Sequence, residues 1–151
     1  MFDNSSRLIL GMSSGTSADS VDMALVRVSG QGQQREVRVE CSGELTFATE
    51  LQDAVHHFVA HYDQPLAQLD KNLAFFFGDC VNIFLEENGV AVSEVDCVAS
   101  HGQTVFHHDG DPRQGSLQLG DLQTIADRCR VCVIGDFRQA DLHAGGQGAP
   151  I

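Results

Sequence analysis

The stretch Gly11-Met-Ser-Ser-Gly-Thr-Ser-Ala-Asp-Ser-Val-Asp22 decides the fold that this sequence predicts. It lies between two short apolar runs, 8–10 and 23–26, so its simplest interpretation is a β-hairpin with a polar turn. A turn of small residues exposes backbone N–H groups that can bind an anion, and hydroxyls beside carboxylates can hold a hydrated Mg²⁺. The residues alone also allow an ordinary hairpin with a serine-rich turn, and both interpretations stay open at this point.

The composition is that of one globular domain. The chain has 151 residues, of which 42% are hydrophobic and 20% are charged, enough for a domain with its own core. Nine basic against 21 acidic residues give a net charge of −12, which argues against nucleic acid or an anionic membrane as a partner. The N-terminus lacks the basic region of a signal peptide, no apolar run could span a membrane, and the five cysteines suggest free thiols. We therefore expect a cytoplasmic protein.

Hydrophobic spacing predicts an α/β chain with a mixed sheet and flanking helices. We predict strands at 7–12, 21–28, 36–40, 95–99, 116–119 and 131–134. We predict helices over 51–62, 65–88 and 122–129. Thr49-Glu-Leu-Gln52 matches a capping box for the first helix, and Asp121 is expected to cap the last one. Polar loops follow the later strands, which is where α/β proteins bind ligands.

Three of these polar segments carry groups suited to small polar ligands. Ser100-His-Gly-Gln-Thr104 is interpreted as a glycine turn that presents an imidazole, an amide and a hydroxyl to a sugar or phosphate, with a plain polar turn as the alternative. Asp136-Phe-Arg138 places two opposite charges after a buried strand, as an ion pair or as ligand contacts. Gly145-Gly-Gln-Gly148 could approach a ligand closely because it lacks side-chain bulk.

Other patterns favour structural roles. The sequence contains neither a P-loop nor a G-x-G-x-x-G motif. His57 and His61 have helical metal-site spacing but no obvious third ligand, which favours a solvated helix face. Cys129 and Cys132 have redox or zinc spacing, yet no second pair exists, which favours a structural thiol pair.

Taken together, the polar segments resemble the motifs of the anhydro-N-acetylmuramic acid kinase family. The hairpin resembles that family's G-x-M-S-G-T-S-L-D-G-[VI]-D, and residues 100–104 resemble its S/C-H-G-Q-T. Residues 117–121 resemble L-Q-I-G-[DN], and residues 135–141 with 145–150 resemble D-F-R-x-x-D-x-x-x-G-G-Q-G-A-P. The motifs occur in the family's order and cover the chain from end to end.

The resemblance implies the N-terminal ribonuclease-H-like domain of an actin/hexokinase-type two-domain kinase, with ATP and Mg²⁺ between the domains. The family phosphorylates O6 of 1,6-anhydro-N-acetylmuramic acid and opens the anhydro bridge with water during cell-wall recycling. The positions carried over for ATP are Gly15, Thr16, Ser17, Ala18, Asp19, Ser20, Val21 and Asp22, with Asp19 and Asp22 near the metal. The positions carried over for the anhydro amino sugar are His101, Gln103, Thr104, Arg138 and Asp141.

The chain departs from the family's pattern at several positions. The methionine stands at 12 rather than 13, which leaves Ser13, and Ala18 replaces the usual leucine. Ser20 replaces the usual glycine, which would cost about 1 kcal/mol if the turn needs a positive φ there. Position 140 is alanine, where many members have arginine.

The family's D-x-G-P-G-N stretch, whose Asp is taken as the base that activates water, has no match here. We therefore expect residues 1–151 to be the N-terminal part of a longer kinase, with the general base beyond Ile151 and no activity by itself. One alternative is another sugar or acetate-type kinase of the same superfamily. A second alternative is a non-catalytic acidic binding module, and a homodimer is left open in each case.

Overall fold

The computed structural model describes residues 6–62, 65–108, 110–111 and 115–149. Its strands are β1 (Arg7–Ser14), β2 (Ser20–Ser29), β3 (Glu36–Thr46), β4 (Cys97–His107), β5 (Ser116–Leu119) and β6 (Val133–Ile134). Its helices are α1 (Thr49–His61), α2 (Leu66–Glu87), α3 (Leu122–Cys129) and α4 (Phe137–His143). Within these ranges, no helix combines the length and apolar content that crossing a membrane requires.

The strands form one mixed sheet in the order β3-β2-β1-β4-β5, and β6 also pairs with β4. The first three strands are antiparallel, while β4 runs parallel to both β1 and β6. β5 runs antiparallel to the far end of β4. This arrangement confirms the predicted α/β class with a mixed sheet and flanking helices.

Helices α1, α2 and α3 cover one face of the sheet. Alternate residues of β1 (Leu8, Leu10 and Met12) are buried in a core with the apolar stripes of α1, α2 and α3. The opposite face is open along the first three strands, where Val37 and Val39 of β3 remain about 60% exposed. We call this second surface the open face.

A β-bulge in β4 sets which side chains reach each face. Met12 pairs with Ser100 and Ser14 pairs with Gln103, so two residues of β4, His101 and Gly102, lie opposite one residue of β1. Gly102 absorbs the extra residue with a φ of +73°. A bulge changes the inward and outward alternation of a strand, and Gln103 therefore points to the same side as the buried Ser14.

Two local predictions were wrong, each for a physical reason. The segment 100–104 is not a turn but lies inside β4, because β1 and β5 pair with it on its two edges. The capping box does not form, since Ala48 is the N-cap and the Gln52 amide donates instead to Asp19. The condition of a positive φ at position 20 is not met, since Ser20 begins β2 and the left-handed residue of the hairpin is Ala18, with a φ of +52°.

The other elements agree with the sequence, with two exceptions. Asp121 does cap α3, because its carboxylate accepts a hydrogen bond from the Thr124 backbone N–H at 2.8 Å. The helix α4 was not predicted, since it is only seven residues long and follows a left-handed Asp136. The paired part of the last strand is also shorter than predicted, at two residues.

The close packing around Gly102 in the bulge leads us to predict how an added side chain there changes the free energy of unfolding. We expect Gly102→Ala to lower the free energy of unfolding by about 1 kcal/mol because of the positive φ at this position. We expect a further loss of roughly 1–3 kcal/mol because the new Cβ would lie 2.6 Å from the Leu119 carbonyl oxygen. Gly89→Ala is a matched control, since Gly89 has a φ of +66° and nothing within 4 Å of an added Cβ. Urea unfolding measures both losses, and equal losses would contradict the close contact at the bulge.

Candidate active site

The loop between β1 and β2 is a tight turn with its polar groups at the surface. Gly15, Thr16, Ser17 and Asp19 are all exposed. Ala18 is fully buried, and its N–H donates to the Gly15 carbonyl at 3.1 Å. The turn therefore exposes backbone and hydroxyl groups to solvent, while the side chain of Ala18 packs in the core.

The helix α1 and the residue before it hold this loop from one side. The Gln52 amide donates to the Asp19 carboxylate at 2.8 Å, and the Phe47 N–H donates to the Asp19 carbonyl at 3.0 Å. His56 Nε2 lies 2.7 Å from the Ser17 carbonyl and donates to it. Gln52 and His56 were not predicted as site residues, because their only signal in the sequence is a polar pair spaced by four on one helix face.

The two carboxylates of the hairpin lie on different sides of the sheet. Asp19 faces α1, whereas Asp22 lies on the open face, next to Ser13 of β1 and Glu44 of β3 in the strand register. The structure therefore does not bring Asp19 and Asp22 together around one ion. It places Glu44 beside Asp22 instead, a neighbour that only the pairing of β2 with β3 could reveal.

The carboxylates of Asp22 and Glu44 suit a magnesium ion that keeps part of its water shell better than an ion held by protein ligands alone. In the part of the chain that the structure describes, no group of three or more His, Cys, Asp or Glu is arranged to hold a metal. Mg²⁺ in phosphate-transfer sites is typically held by one or two carboxylates, with waters and phosphate oxygens as its other ligands. Asp22 and the neighbouring Ser13 hydroxyl, both exposed, fit that requirement.

Two residues expected to contact the sugar are buried, on opposite sides of β4. Gln103 is 0% exposed, and its amide bonds to Ser14 and to the carbonyls of Gly15 and Thr104. Thr104 is 7% exposed, and its hydroxyl accepts from the Gln118 amide at 3.3 Å. The bulge at His101–Gly102 turns the side chain of Gln103 away from the open face. Thr104 pairs with Gln118 and lies on the other side of the strand, toward Ser116 and Arg138.

His101 and Arg138 do come together at the open face. The Arg138 Nε–H donates to His101 Nε2 at 3.1 Å, while His101 Nδ1 lies 3.2 Å from the Gly102 carbonyl. Because Nε2 accepts and Nδ1 donates, His101 is a neutral imidazole with its proton on Nδ1. The sequence placed both residues in the same site, and the structure brings them into direct contact through β4 and α4.

Ser116 at the start of β5 connects this pair to the sheet. Its Oγ lies 3.4 Å from an Arg138 terminal nitrogen and 3.1 Å from His107 Nδ1, and it accepts from the Gln118 amide at 2.6 Å. Burial, and then the charges of His108 and Arg138, lower the pKa of His107. A neutral His107 leaves Arg138 as the cation of this cluster. Ser116 was not predicted as a site residue, since one serine in a strand forms no recognisable motif.

The glycine-rich segment after α4 is folded back onto that helix. The Asp141 carboxylate accepts from the Gly148 N–H at 2.7 Å, and the Asp141 carbonyl accepts from the Gly146 N–H at 2.8 Å. A Cβ at Gly146 would collide with the Asp141 carboxylate. His108 Nε2 donates to the Gln147 carbonyl at 2.8 Å. Asp141 therefore shapes the loop, although its exposed carboxylate still borders the cleft.

Two adjoining depressions connect these groups. The larger is a cleft of about 680 Å³ lined by His101, Phe137, Arg138, Asp141, Gly146, Gln147, Gly148 and Ala149. The smaller is a groove of about 370 Å³ on the open face lined by Gly11, Met12, Ser13, Asp22, Ala24, Ala99, His101 and Phe137. His101 and Phe137 line both, so the cleft continues along the sheet to the carboxylate beside the hairpin turn.

The remaining sequence candidates do not join this site. The rings of His57 and His61 stack on the exposed side of α1, with centroids 4.4 Å apart. Cys129 is buried at 1% exposure, whereas Cys132 is exposed, and all five cysteines are free thiols. The histidines agree with the solvated helix face that the sequence favoured. The prediction of a structural thiol pair was wrong for Cys132, because this residue lies before β6 and is exposed.

Comparison with known proteins identifies one family. A family model described as anhydro-N-acetylmuramic acid kinase matches residues 7–151. The enzyme of that name from Gloeobacter violaceus is 38% identical over 149 residues, which are 95% of this chain and 39% of the relative. The one from Haemophilus influenzae is 36% identical over 145 residues, which are 94% of this chain and 37% of the relative. This chain thus spans less than half the length of these curated relatives.

Among solved structures, YeaZ from Pseudomonas aeruginosa is 17% identical and covers 95% of this chain and 51% of its own. Its TM-score of 0.33 is too low to establish a common fold.

The contact between Arg138 and His101 makes a prediction about proton position. We expect long-range ¹H–¹⁵N NMR to find the proton of His101 on Nδ1, and that of His56 on Nε2, because their partners differ. Arg138→Met removes the donor to Nε2 and is expected to change the spectrum of His101 while leaving that of His56 unchanged. A proton on Nε2 of His101 in the unmodified protein would contradict the arrangement.

Proposed function

Because the chain belongs to the anhydro-N-acetylmuramic acid kinase family, we propose that it forms the N-terminal domain of an ATP-dependent kinase of 1,6-anhydro-N-acetylmuramic acid. The γ-phosphoryl group of ATP would pass to O6 of the sugar while water adds to C1 and the C1–O6 bond breaks. The products are ADP and N-acetylmuramate 6-phosphate. The observation that supports this proposal is the continuity of the cleft at Arg138 with the groove at Asp22, through His101 and Phe137.

The hairpin is proposed as the ATP side of the site. Its turn offers backbone N–H groups and the exposed hydroxyls of Thr16 and Ser17, which are donors for phosphate oxygens. Asp22, with Glu44 beside it, would hold Mg²⁺ through water, and the ion would neutralise charge on the phosphates. A protein with a net charge of −12 needs such a cation to accept a polyanion on an acidic surface.

The cleft around α4 is proposed as the sugar side of the site. Arg138 uses Nε for His101 and one terminal nitrogen for Ser116, which leaves its other terminal nitrogen for the carboxylate of a muramic acid. Phe137 lines both depressions, is 51% exposed, and offers an apolar surface to a sugar ring. The folded-back glycine segment, fixed by Asp141, lets backbone approach the sugar where side chains would block it.

We propose that the base for the attacking water lies beyond Ile151. Asp141 borders the cleft, but its carboxylate already accepts from the Gly148 N–H at 2.7 Å. The remaining part of the curated relatives, more than half of their length, is the proposed source of the base and of the second wall of the site. The sugar or acetate-type kinases of the same superfamily remain the alternative, and the choice of acceptor distinguishes them.

The first test is an assay of the complete gene product. We expect ADP release that depends on the anhydro sugar, with a 6-phosphorylated muramate detected by mass spectrometry. Arg138→Met is expected to raise the KM for this sugar by roughly 10–100-fold, because a charge-assisted contact is lost, with little change in the KM for ATP. Arg35→Met, at an exposed position before β3, is the charge-matched control. Phosphorylation of ordinary hexoses but not of the anhydro sugar would overturn the proposal.

The second test concerns residues 1–151 alone. We expect no ADP release that depends on the anhydro sugar, because positioning of both substrates requires the other side of the site. Isothermal titration with MgATP, measured on the same sample, checks whether the hairpin binds nucleotide without turnover. Sugar-dependent turnover by this chain would contradict the placement of the base beyond Ile151.

A further inference from the structure

Gln103 is the most completely engaged polar side chain beside the site. It is 0% exposed, although it lies only two residues after His101 on β4. Its Oε1 accepts from the Ser14 hydroxyl at 2.6 Å. Its Nε2 donates to the Gly15 carbonyl at 2.9 Å and to the Thr104 carbonyl at 3.1 Å. These partners are a side chain of β1, the backbone of β4 and the backbone of the turn at Gly15, and the buried Gln103 amide is closed to a ligand.

The chemistry of these contacts requires a glutamine amide. The position needs one acceptor for a hydroxyl and two donors for two carbonyls, which an amide supplies and which a carboxylate or an apolar side chain does not. Ser14 Oγ also lies 3.3 Å from the Ser20 carbonyl, at the far end of the turn. One buried network therefore joins the first and last residues of the hairpin loop to β4.

We propose that Gln103 is a positioning residue that fixes the phosphate-side loop relative to the sugar-side residue His101. His101 and Gln103 lie on either side of Gly102, so the bulge directs one to the open face and the other to the loop. Beyond the pairing of β1 with β4, the position of the hairpin turn relative to His101 is then set by the three hydrogen bonds of Gln103. This inference rests on the proposed function, and it replaces a direct contact of Gln103 with the sugar.

Removal of the amide is expected to release the loop without opening the core. Gln103→Leu removes the shortest hydrogen bond of the Ser14 hydroxyl and the donors from the amide to the Gly15 and Thr104 carbonyls, and the loss of buried hydrogen bonds destabilises local structure. We expect amide hydrogen exchange over residues 14–20 to rise by about tenfold or more. Exchange in the buried part of α2 is expected to stay within about twofold, since that helix makes no hydrogen bond with the network.

The same variant separates loop positioning from sugar contact. In the complete gene product, Gln103→Leu is expected to raise the dissociation constant of MgATP by about tenfold. The KM for the anhydro sugar at saturating ATP is expected to change by less than about twofold, unlike that of Arg138→Met. Ser14→Ala removes one bond of the network and is expected to produce the same changes in smaller measure.

Asn82→Leu is the matched control. The Asn82 amide donates to the Arg128 carbonyl at 3.3 Å between α2 and α3, away from the hairpin. It is expected to leave both the exchange over 14–20 and the MgATP affinity unchanged. If Gln103→Leu does not fold, Ser14→Ala decides the question by the same two measurements.

Three outcomes would overturn the proposal. The first is unchanged exchange over 14–20 in both variants. The second is an equal rise of exchange in α2, which indicates a general loss of stability. The third is a rise in sugar KM as large as that of Arg138→Met, which indicates direct contact. If the unmodified protein does not bind MgATP, the proposed function fails, while hydrogen exchange in the ligand-free protein still tests the network.

Discussion

The extra residue in β4 is the constraint on which the rest of the site depends. Between its pairings with Met12 and Ser14, β4 accommodates His101 and Gly102 opposite a single residue of β1. Gly102 has a positive φ, and a Cβ added there would lie 2.6 Å from the Leu119 carbonyl oxygen. The position therefore has no room for another residue type. The bulge sends His101 outward, where Arg138 can reach it, and sends Gln103 inward to hold the hairpin loop.

Charge gives the open face its second property. Asp22 and Glu44 lie side by side there, in a protein with a net charge of −12, so an anionic ligand needs a cation to approach this end of the groove. At the other end, Arg138 is a cation placed between two neutral imidazoles, with the pKa of His107 lowered by burial. The groove therefore runs from an acidic end to a basic end, which suits a magnesium-bound phosphate at one side and an acidic sugar at the other.

The sequence predicted the elements better than it predicted side-chain direction. Apolar spacing located the hairpin, α1, α2 and the Asp121 cap of α3, because each depends on local pattern and capping chemistry. Alternation could not predict that Gln103 turns inward, since a bulge depends on pairing with strands distant in the sequence. For the same reason, Glu44 became a neighbour of Asp22 only once β3 was paired with β2. Helix α4 has only seven residues, which are too few for the spacing of apolar residues to predict a helix.

The hydrogen bond between Ser14 and Gln103 joins residues 89 positions apart in the sequence. Its formation requires the parallel pairing of β1 with β4, which brings the ends of a long connection together and is entropically costly. The hairpin turn can form locally, but its fixed relation to His101 arises only when this pairing is complete. The site therefore forms only when the sheet is assembled. The hydrogen bond between Ser14 and Gln103, its most important polar contact, is accordingly buried inside the fold rather than exposed in the cleft.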